Sequence, residues 1–202
     1  MDNVLCQYCD RSCFKHYSEE LFLRWLVDVL GPVLSGVKPS EVLSFKNCDT
    51  HSQEKVATIK QYLSSLPTLG CRMHAIADGS TKVLFFHREA LERQLNQKVV
   101  REFIAGEGYS VCWDLDGCIT ELLSRFENRQ MPHEIGVFLG YPLKDVLGFI
   151  GKAKLVYKKT QGWQVYGDPT LSDKVYNQFM QARADVRRRL QCESPFEILT
   201  CA

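Results

Sequence analysis

The sequence lacks a long apolar run and a strong excess of charge of either sign. Its longest apolar stretch, Leu21 to Leu34, contains Arg24 and Asp28 and is shorter than the ~20 residues that span a bilayer. The first residues lack the basic-then-apolar pattern of a signal peptide. Lys and Arg number 25 against 24 Asp and Glu, whereas dedicated nucleic-acid binders carry a basic excess. We therefore expect a cytoplasmic protein that binds neither membrane nor nucleic acid.

The common motifs of nucleotide binding and hydrolysis are also missing. There is no GxGxxG turn, no Walker loop and no GxSxG elbow, which argues against a dinucleotide-binding fold, a P-loop enzyme and an α/β-hydrolase. No second histidine follows His133 four residues later, so the zinc-protease motif is absent. These absences leave the cofactor and the reaction class open, and with them the question of whether the protein is an enzyme.

Cysteine, by contrast, is abundant. Nine cysteines form an odd set without a secretion signal, which argues against a disulfide framework. Cys6 and Cys9 have the CxxC spacing that holds zinc, and Cys13 or His16 could add ligands. No second pair of this kind completes a four-ligand site. A metal site at Cys6, Cys9 and Cys13 and a flexible segment of reduced thiols therefore both remain open.

Composition and patterning predict one α+β domain. Apolar residues make up 45% of the chain and charged residues 24%, as in ordinary globular proteins. A hairpin at Asp78-Gly79 should pair strands Cys71–Ala77 and Lys82–His87. The remaining elements lack regular βαβ alternation, which favours a small, mostly antiparallel sheet packed with several helices.

The domain boundaries follow from the same patterns. Residues 1–17 are a cysteine-rich leader, residues 18–190 the α+β domain, and residues 191–202 a weakly ordered tail. Ser18 should cap the first helix, which Gly31-Pro32 should kink or end.

The most site-like segment is Met131 to Gly136. Pro132 sets the first turn of a short helix, and His133 and Glu134 follow at its start. A histidine can exchange protons near neutral pH, and Glu134 could orient it or accept a proton. The alternative is local scaffolding, in which His133 bonds a neighbouring loop and Glu134 complements the helix dipole.

Aromatic residues and one lysine complete this hypothesis. Tyr141, Trp163 and Tyr166 lie at turns beside glycines, where their rings could wall a planar ligand. Lys38, in a Val-Lys-Pro turn, could anchor an anion. The alternative for the aromatic residues is ordinary packing of a small hairpin against helices.

Three motifs resemble an uncharacterised family of roughly 200-residue proteins, a domain of unknown function found mostly in anaerobic Firmicutes. The resemblance spans about residues 18–190 and rests on Leu34-Ser-Gly-Val-Lys-Pro39 with Leu43-Ser-Phe45, on Pro132-His-Glu-Ile-Gly-Val-Phe-Leu-Gly-Tyr-Pro-Leu-Lys-Asp-Val146, and on Trp163-Gln-Val-Tyr-Gly167.

The resemblance implies a setting rather than an activity. Family members lie near genes of ferrous-iron uptake and flavodoxins, which implies an iron or redox context. The family pattern has a His-Cys pair where this sequence has Val29 and Leu30, so thiol chemistry cannot be carried over. The resemblance does favour His133, Glu134 and Tyr141 as site residues.

The leading hypothesis is a small-molecule-binding protein or enzyme with its pocket at the His133–Glu134 helix start. His133 would be the proton-transfer group or ligand contact, and Glu134 its partner. Two alternatives remain: a non-catalytic interaction or regulatory module, and a metal protein that uses the leader cysteines. The oligomeric state is open.

Overall fold

The computed structural model describes residues 18–46, 49–63, 66–77, 79–109, 114–128 and 131–200. The helices in these ranges are α1 (Glu19–Leu34), α2 (Ser52–Leu63), α3 (Arg88–Leu95), α4 (Lys98–Gly106), α5 (Leu115–Ser124), α6 (Ile135–Phe138), α7 (Leu143–Phe149), α8 (Thr170–Arg189) and α9 (Pro195–Thr200), with a 3₁₀ turn at Arg125–Asn128. The strands are β1 (Ser40–Phe45), β2 (Leu69–Ala75), β3 (Thr81–His87), β4 (Tyr157–Gln161) and β5 (Trp163–Tyr166).

The central sheet has three antiparallel strands in the order β1-β3-β2. Its middle strand, β3, is apolar on both faces. Val83 and Phe85 pack into a core with α1, α8 and α9, whereas Leu84 and Phe86 pack into a second core with α3 to α7. The sheet is therefore covered by helices on both sides. The predicted α+β class and the mostly antiparallel pairing are confirmed.

The first helix runs through the proline that was expected to kink or end it. Ser18 caps α1 as predicted, its hydroxyl accepting from the backbone N–H of Leu21 at 3.4 Å. The helix then continues past Pro32 to Leu34, and both residues are buried. Gly31 lets α8 pack closely on this part of the helix, because a Cβ there would lie 3.0 Å from Val186 Cβ. Burial of this last turn offsets the backbone hydrogen bond that proline cannot make.

The predicted weakly ordered tail is instead a helix. Ile198 and Leu199 of α9 are each 1% exposed and belong to the core around α1. Ser194 and Glu197 form a capping box, with Ser194 N–H donating to Glu197 Oε2 at 2.8 Å and Glu197 N–H to Ser194 Oγ at 3.2 Å. The domain therefore extends to Thr200 among the described residues. The leader with Cys6, Cys9 and Cys13 lies outside them.

A small two-stranded sheet, β4-β5, follows α7 in the chain. Its turn contains Gly162, whose φ of 71° is one that residues with a Cβ adopt rarely. Trp163 and Val165 of β5 are buried with Phe179 of α8. Strand β5 also packs along α7. The hairpin is therefore held between α7 and α8. None of the described helices has the length and apolar character needed to cross a membrane.

Candidate functional site

A cavity of about 480 Å³ lies between the α6–α7 segment and the β4–β5 hairpin. Its size falls in the range of small-molecule sites. Most of its wall is apolar or aromatic. The lining residues are Met131, Pro132, His133, Ile135, Gly136, Tyr141, Asp145, Val146, Phe149, Thr160, Gly162, Trp163 and Gln164.

Two glycines bring the elements of this wall together. A Cβ on Gly136 would lie 2.8 Å from Val146 Cγ2, so only glycine lets α6 approach α7 this closely. Gly140 has a φ of 79°, and a Cβ there would lie 2.5 Å from Pro39 Cδ. Both glycines lie inside the Pro132-to-Val146 motif. The motif therefore encodes the tight turn between α6 and α7 that aims Tyr141 at the hairpin.

His133 lies at the cavity with its side chain exposed. Its ring packs edge-on against Phe149, with 5.4 Å between the ring centroids. Within the described residues the imidazole makes no hydrogen bond. Its ring nitrogens are therefore available to a ligand in this part of the structure.

Glu134 faces away from His133. Its Oε1 accepts hydrogen bonds from Arg125 Nη1 at 2.8 Å and from Tyr109 Oη at 3.1 Å, and the residue is 7% exposed. Burial, followed by the nearby Glu134 carboxylate, raises the pKa of Tyr109. The Arg125 guanidinium lies over the Tyr109 ring at 4.0 Å from its centroid. The predicted pairing of His133 with Glu134 is therefore not formed, and Glu134 does not line the cavity.

Lys38 does not line the cavity either. Its Nζ donates to Glu41 Oε2 at 2.6 Å and lies 5.5 Å from the Phe179 ring centroid and 5.8 Å from that of Tyr141. The residue is buried, and its charge is balanced by Glu41. The predicted anion anchor is thus part of an ion pair behind the Tyr141 ring, because Glu41 of the following strand β1 already supplies the anion.

Tyr141 and Trp163 meet as a stacked pair, with ring centroids 4.5 Å apart and planes 18° from parallel. Both line the cavity. Burial, followed by the Glu41 charge, raises the pKa of Tyr141, so its phenol stays protonated. Tyr166 supports this wall from outside, because a Cβ on Gly148 of α7 would lie 2.5 Å from its ring.

Asp145 also lines the cavity, although it was not predicted as a site residue from the sequence. It is 1% exposed, and four donors reach its two oxygens. Oδ1 accepts from Lys144 Nζ at 2.7 Å and from the Tyr166 backbone N–H at 2.9 Å. Oδ2 accepts from Trp163 Nε1 at 2.8 Å and from Ser172 Oγ at 2.6 Å.

Burial raises the pKa of Asp145, but the hydrogen bonds from Lys144, Ser172, the Tyr166 backbone and Trp163 together hold it below its ordinary value. The carboxylate ties α7, β5 and α8 together. One signal was available in the sequence: a buried tryptophan N–H needs an acceptor. Nothing in the sequence says which carboxylate supplies it.

No three His, Cys, Asp or Glu side chains in the described ranges converge as a metal site. The metal prediction at Cys6, Cys9 and Cys13 lies outside these ranges and stays a prediction. The cavity itself offers hydrogen-bonding groups on His133, Thr160 and Gln164 rather than a cluster of anionic ligands.

Comparison with known families places these residues in context. A family described as "Protein of unknown function (DUF3793)" matches residues 26–200. The chain belongs to this family. The resemblance predicted from the motifs is confirmed in that respect. No curated protein matches the chain, and no solved structure matches it. The whole lining of the cavity falls inside the stretch matched by the DUF3793 family.

Proposed function

We propose that this protein binds a small molecule in the cavity between the α6–α7 segment and the β4–β5 hairpin. The observation that carries the proposal is a 480 Å³ space walled by the Tyr141–Trp163 stack and the His133–Phe149 pair. Apolar walls with a few polar groups are the usual make-up of ligand sites. His133 is the polar contact in this proposal.

The proposal is binding rather than acid–base catalysis by the predicted pair. Glu134 is engaged by Arg125 and Tyr109 and cannot orient His133. Asp145 accepts four hydrogen bonds and has no lone pair left for a substrate proton. A general base needs a free lone pair within reach of the proton that it removes.

The test is a fragment screen with one blocked variant and one control. Ligand-observed NMR with neutral, anionic and cationic fragments of about 8–15 heavy atoms should give binders to the wild type. Gln164→Trp should abolish the binding of these fragments, because Gln164 is an exposed residue of the cavity wall and the larger side chain would fill the cavity. Gln178→Trp, at an exposed position of α8 away from the cavity, should keep them.

Two results would sink the proposal. One is a wild-type protein that binds no fragment. The other is a set of binders that the Gln164→Trp protein retains with unchanged affinity.

An interaction module is the second candidate, favoured by three consecutive exposed apolar side chains at the start of the β4–β5 hairpin. Leu155, Val156 and Tyr157 follow one another in the chain and are 37%, 70% and 50% exposed. Exposed apolar residues in a group are typical of contact surfaces. Sedimentation of the wild type against Val156→Asp tests self-association through this segment; identical monomers in both would remove that form of the candidate.

A metal bound by the leader cysteines is the remaining alternative from the sequence, and the iron or redox setting also stays a prediction. Elemental analysis of protein purified without oxygen tests whether a metal is bound. At least about one equivalent of zinc or iron, lost on substitution of Cys6 and Cys9 by serine, would support it. A lower content would end it.

A further inference from the structure

The charges around the cavity are paired with one another. Asp145 is the carboxylate of the wall, and Lys144 balances it. The Lys144 ammonium has three N–H groups, and three acceptors take them: Asp145 Oδ1 at 2.7 Å, the Tyr166 carbonyl at 2.7 Å and Ser172 Oγ at 2.8 Å. Lys38, behind Tyr141, is paired with Glu41. Among the described residues that line the cavity, Asp145 is the only one with a permanent charge, and Lys144 balances it, so the lining offers no free charge to a ligand.

A charged ligand would lose hydration on entry without gaining a counter-ion from these residues. Such an uncompensated transfer into an apolar site is strongly unfavourable. A neutral ligand escapes this penalty. The charge balance thus disfavours ligands of either charge. Anions are disfavoured in particular, because Lys38 is paired with Glu41 and does not line the cavity.

Four rings, those of His133, Tyr141, Phe149 and Trp163, supply the flat surfaces of the wall and favour a flat ligand. Tyr141 and Trp163 stack with nearly parallel planes, and Phe149 packs against His133. Flat aromatic faces pack best against another flat ring.

The remaining polar groups are neutral. The Gln164 side-chain oxygen accepts from Tyr166 Oη at 2.7 Å, and Thr160 Oγ1 lies 3.0 Å from Tyr157 Oη. The His133 imidazole has no hydrogen-bond partner among the described residues.

Resting on the small-molecule binding proposed above, we infer that the cavity selects an uncharged, planar aromatic ligand bearing a neutral hydrogen-bonding group, which His133 contacts. The inference joins three features: a lining whose one charge is balanced, aromatic rings in the wall, and an imidazole without a hydrogen-bond partner among the described residues.

Three naphthalenes of matched shape test the inference by calorimetry at pH 8.0. They are 2-naphthamide, which is neutral, 2-naphthoate, which is anionic, and 2-naphthylmethylammonium. We expect 2-naphthamide to bind at least about tenfold more tightly than either ion, because an uncompensated charge is costly to bury. Gln164→Trp should abolish this binding and Gln178→Trp should leave it.

His133→Phe isolates the polar contact, because it keeps the ring beside Phe149 and removes both nitrogens. We expect about fivefold weaker binding of 2-naphthamide, the size of one ordinary hydrogen bond. Unchanged affinity in His133→Phe would overturn the role of His133.

Either ion binding as tightly as the amide would overturn the neutral class and leave small-molecule binding intact. If none of the three naphthalenes bound, the planar aromatic class would fall. The fragment screen decides separately whether the cavity binds molecules of another shape.

Discussion

Two buried carboxylates stand close together in the chain on either side of the α6 helix and serve different regions of the molecule. Glu134 is 7% exposed and bonds to Arg125 and Tyr109, on the side away from the cavity. Asp145 is 1% exposed, lines the cavity, and bonds to donors from α7, β5 and α8. Both lie in one sequence motif, yet only the second holds the candidate site together.

The difference teaches that being next to a candidate site residue in sequence says little about function. Glu134 is adjacent to His133, but the start of α6 sends their side chains to opposite sides. Asp145 lies further along the chain, in α7. Its carboxylate lines the cavity and accepts a hydrogen bond from the indole N–H of Trp163. Substitutions of the two carboxylates should therefore separate stability from binding.

The largest expected effect is on Asp145→Ala. It leaves the partly buried Lys144 without its anion and removes the buried acceptor of Trp163 and Ser172, so the free energy of unfolding should fall by about 3–5 kcal/mol. Urea unfolding at pH 7.5 measures this. Fragment binding to the cavity should weaken as well. Asp173→Ala is the matched control, since Asp173 bonds to the same hairpin from a partly exposed position and should change stability little. Equal losses in the two variants would contradict the special place of Asp145.

An intermediate effect is expected from Glu134→Gln. Arg125 keeps its bonds to Glu121 and to the Glu107 carbonyl, so unfolding should lose only about 1–3 kcal/mol. Cavity binding should stay within about twofold of the wild type, because Glu134 does not reach the cavity. Calorimetry with the fragment that binds best checks this. A more than about fivefold loss of affinity, with the fold intact, would bring Glu134 back into the site.

The smallest expected effect is on the free energy of unfolding at acidic pH. The pKa of Asp145 is lowered in the folded protein from 3.8, because its four hydrogen bonds outweigh burial. A carboxyl with a depressed pKa stabilises the fold above its ordinary pKa and loses that contribution as pH falls through the folded value. The wild type should thus lose stability faster than Asp145→Asn below about pH 4, and the gap between their unfolding free energies should narrow. Urea titrations at pH 7, 5 and 3 check this; a gap that widens in acid would show that the ionised carboxylate is not the stabilising form.

Much of the fold could be predicted from local patterns. Alternation predicted strand β2, a run of β-forming residues predicted strand β3, and the turn residues between them predicted their hairpin. The failures have tertiary causes. Helix α1 passes Pro32 because its last turn is buried, and α9 forms because Ile198 and Leu199 complete a core assembled by α1. The capping box at Ser194 was present in the sequence and gives α9 a local reason as well.

The candidate site divides along the same line. By itself the sequence determined that Pro132 and His133 begin a short turn. It also determined that the rings of Tyr141 and Trp163 each follow a glycine. Only the tertiary structure decided where the charges go: Lys38 to Glu41, Glu134 to Arg125, and Asp145 to four donors. The physical reason is that a side chain's partner depends on which segments meet in space, and charges buried by that meeting must find one another.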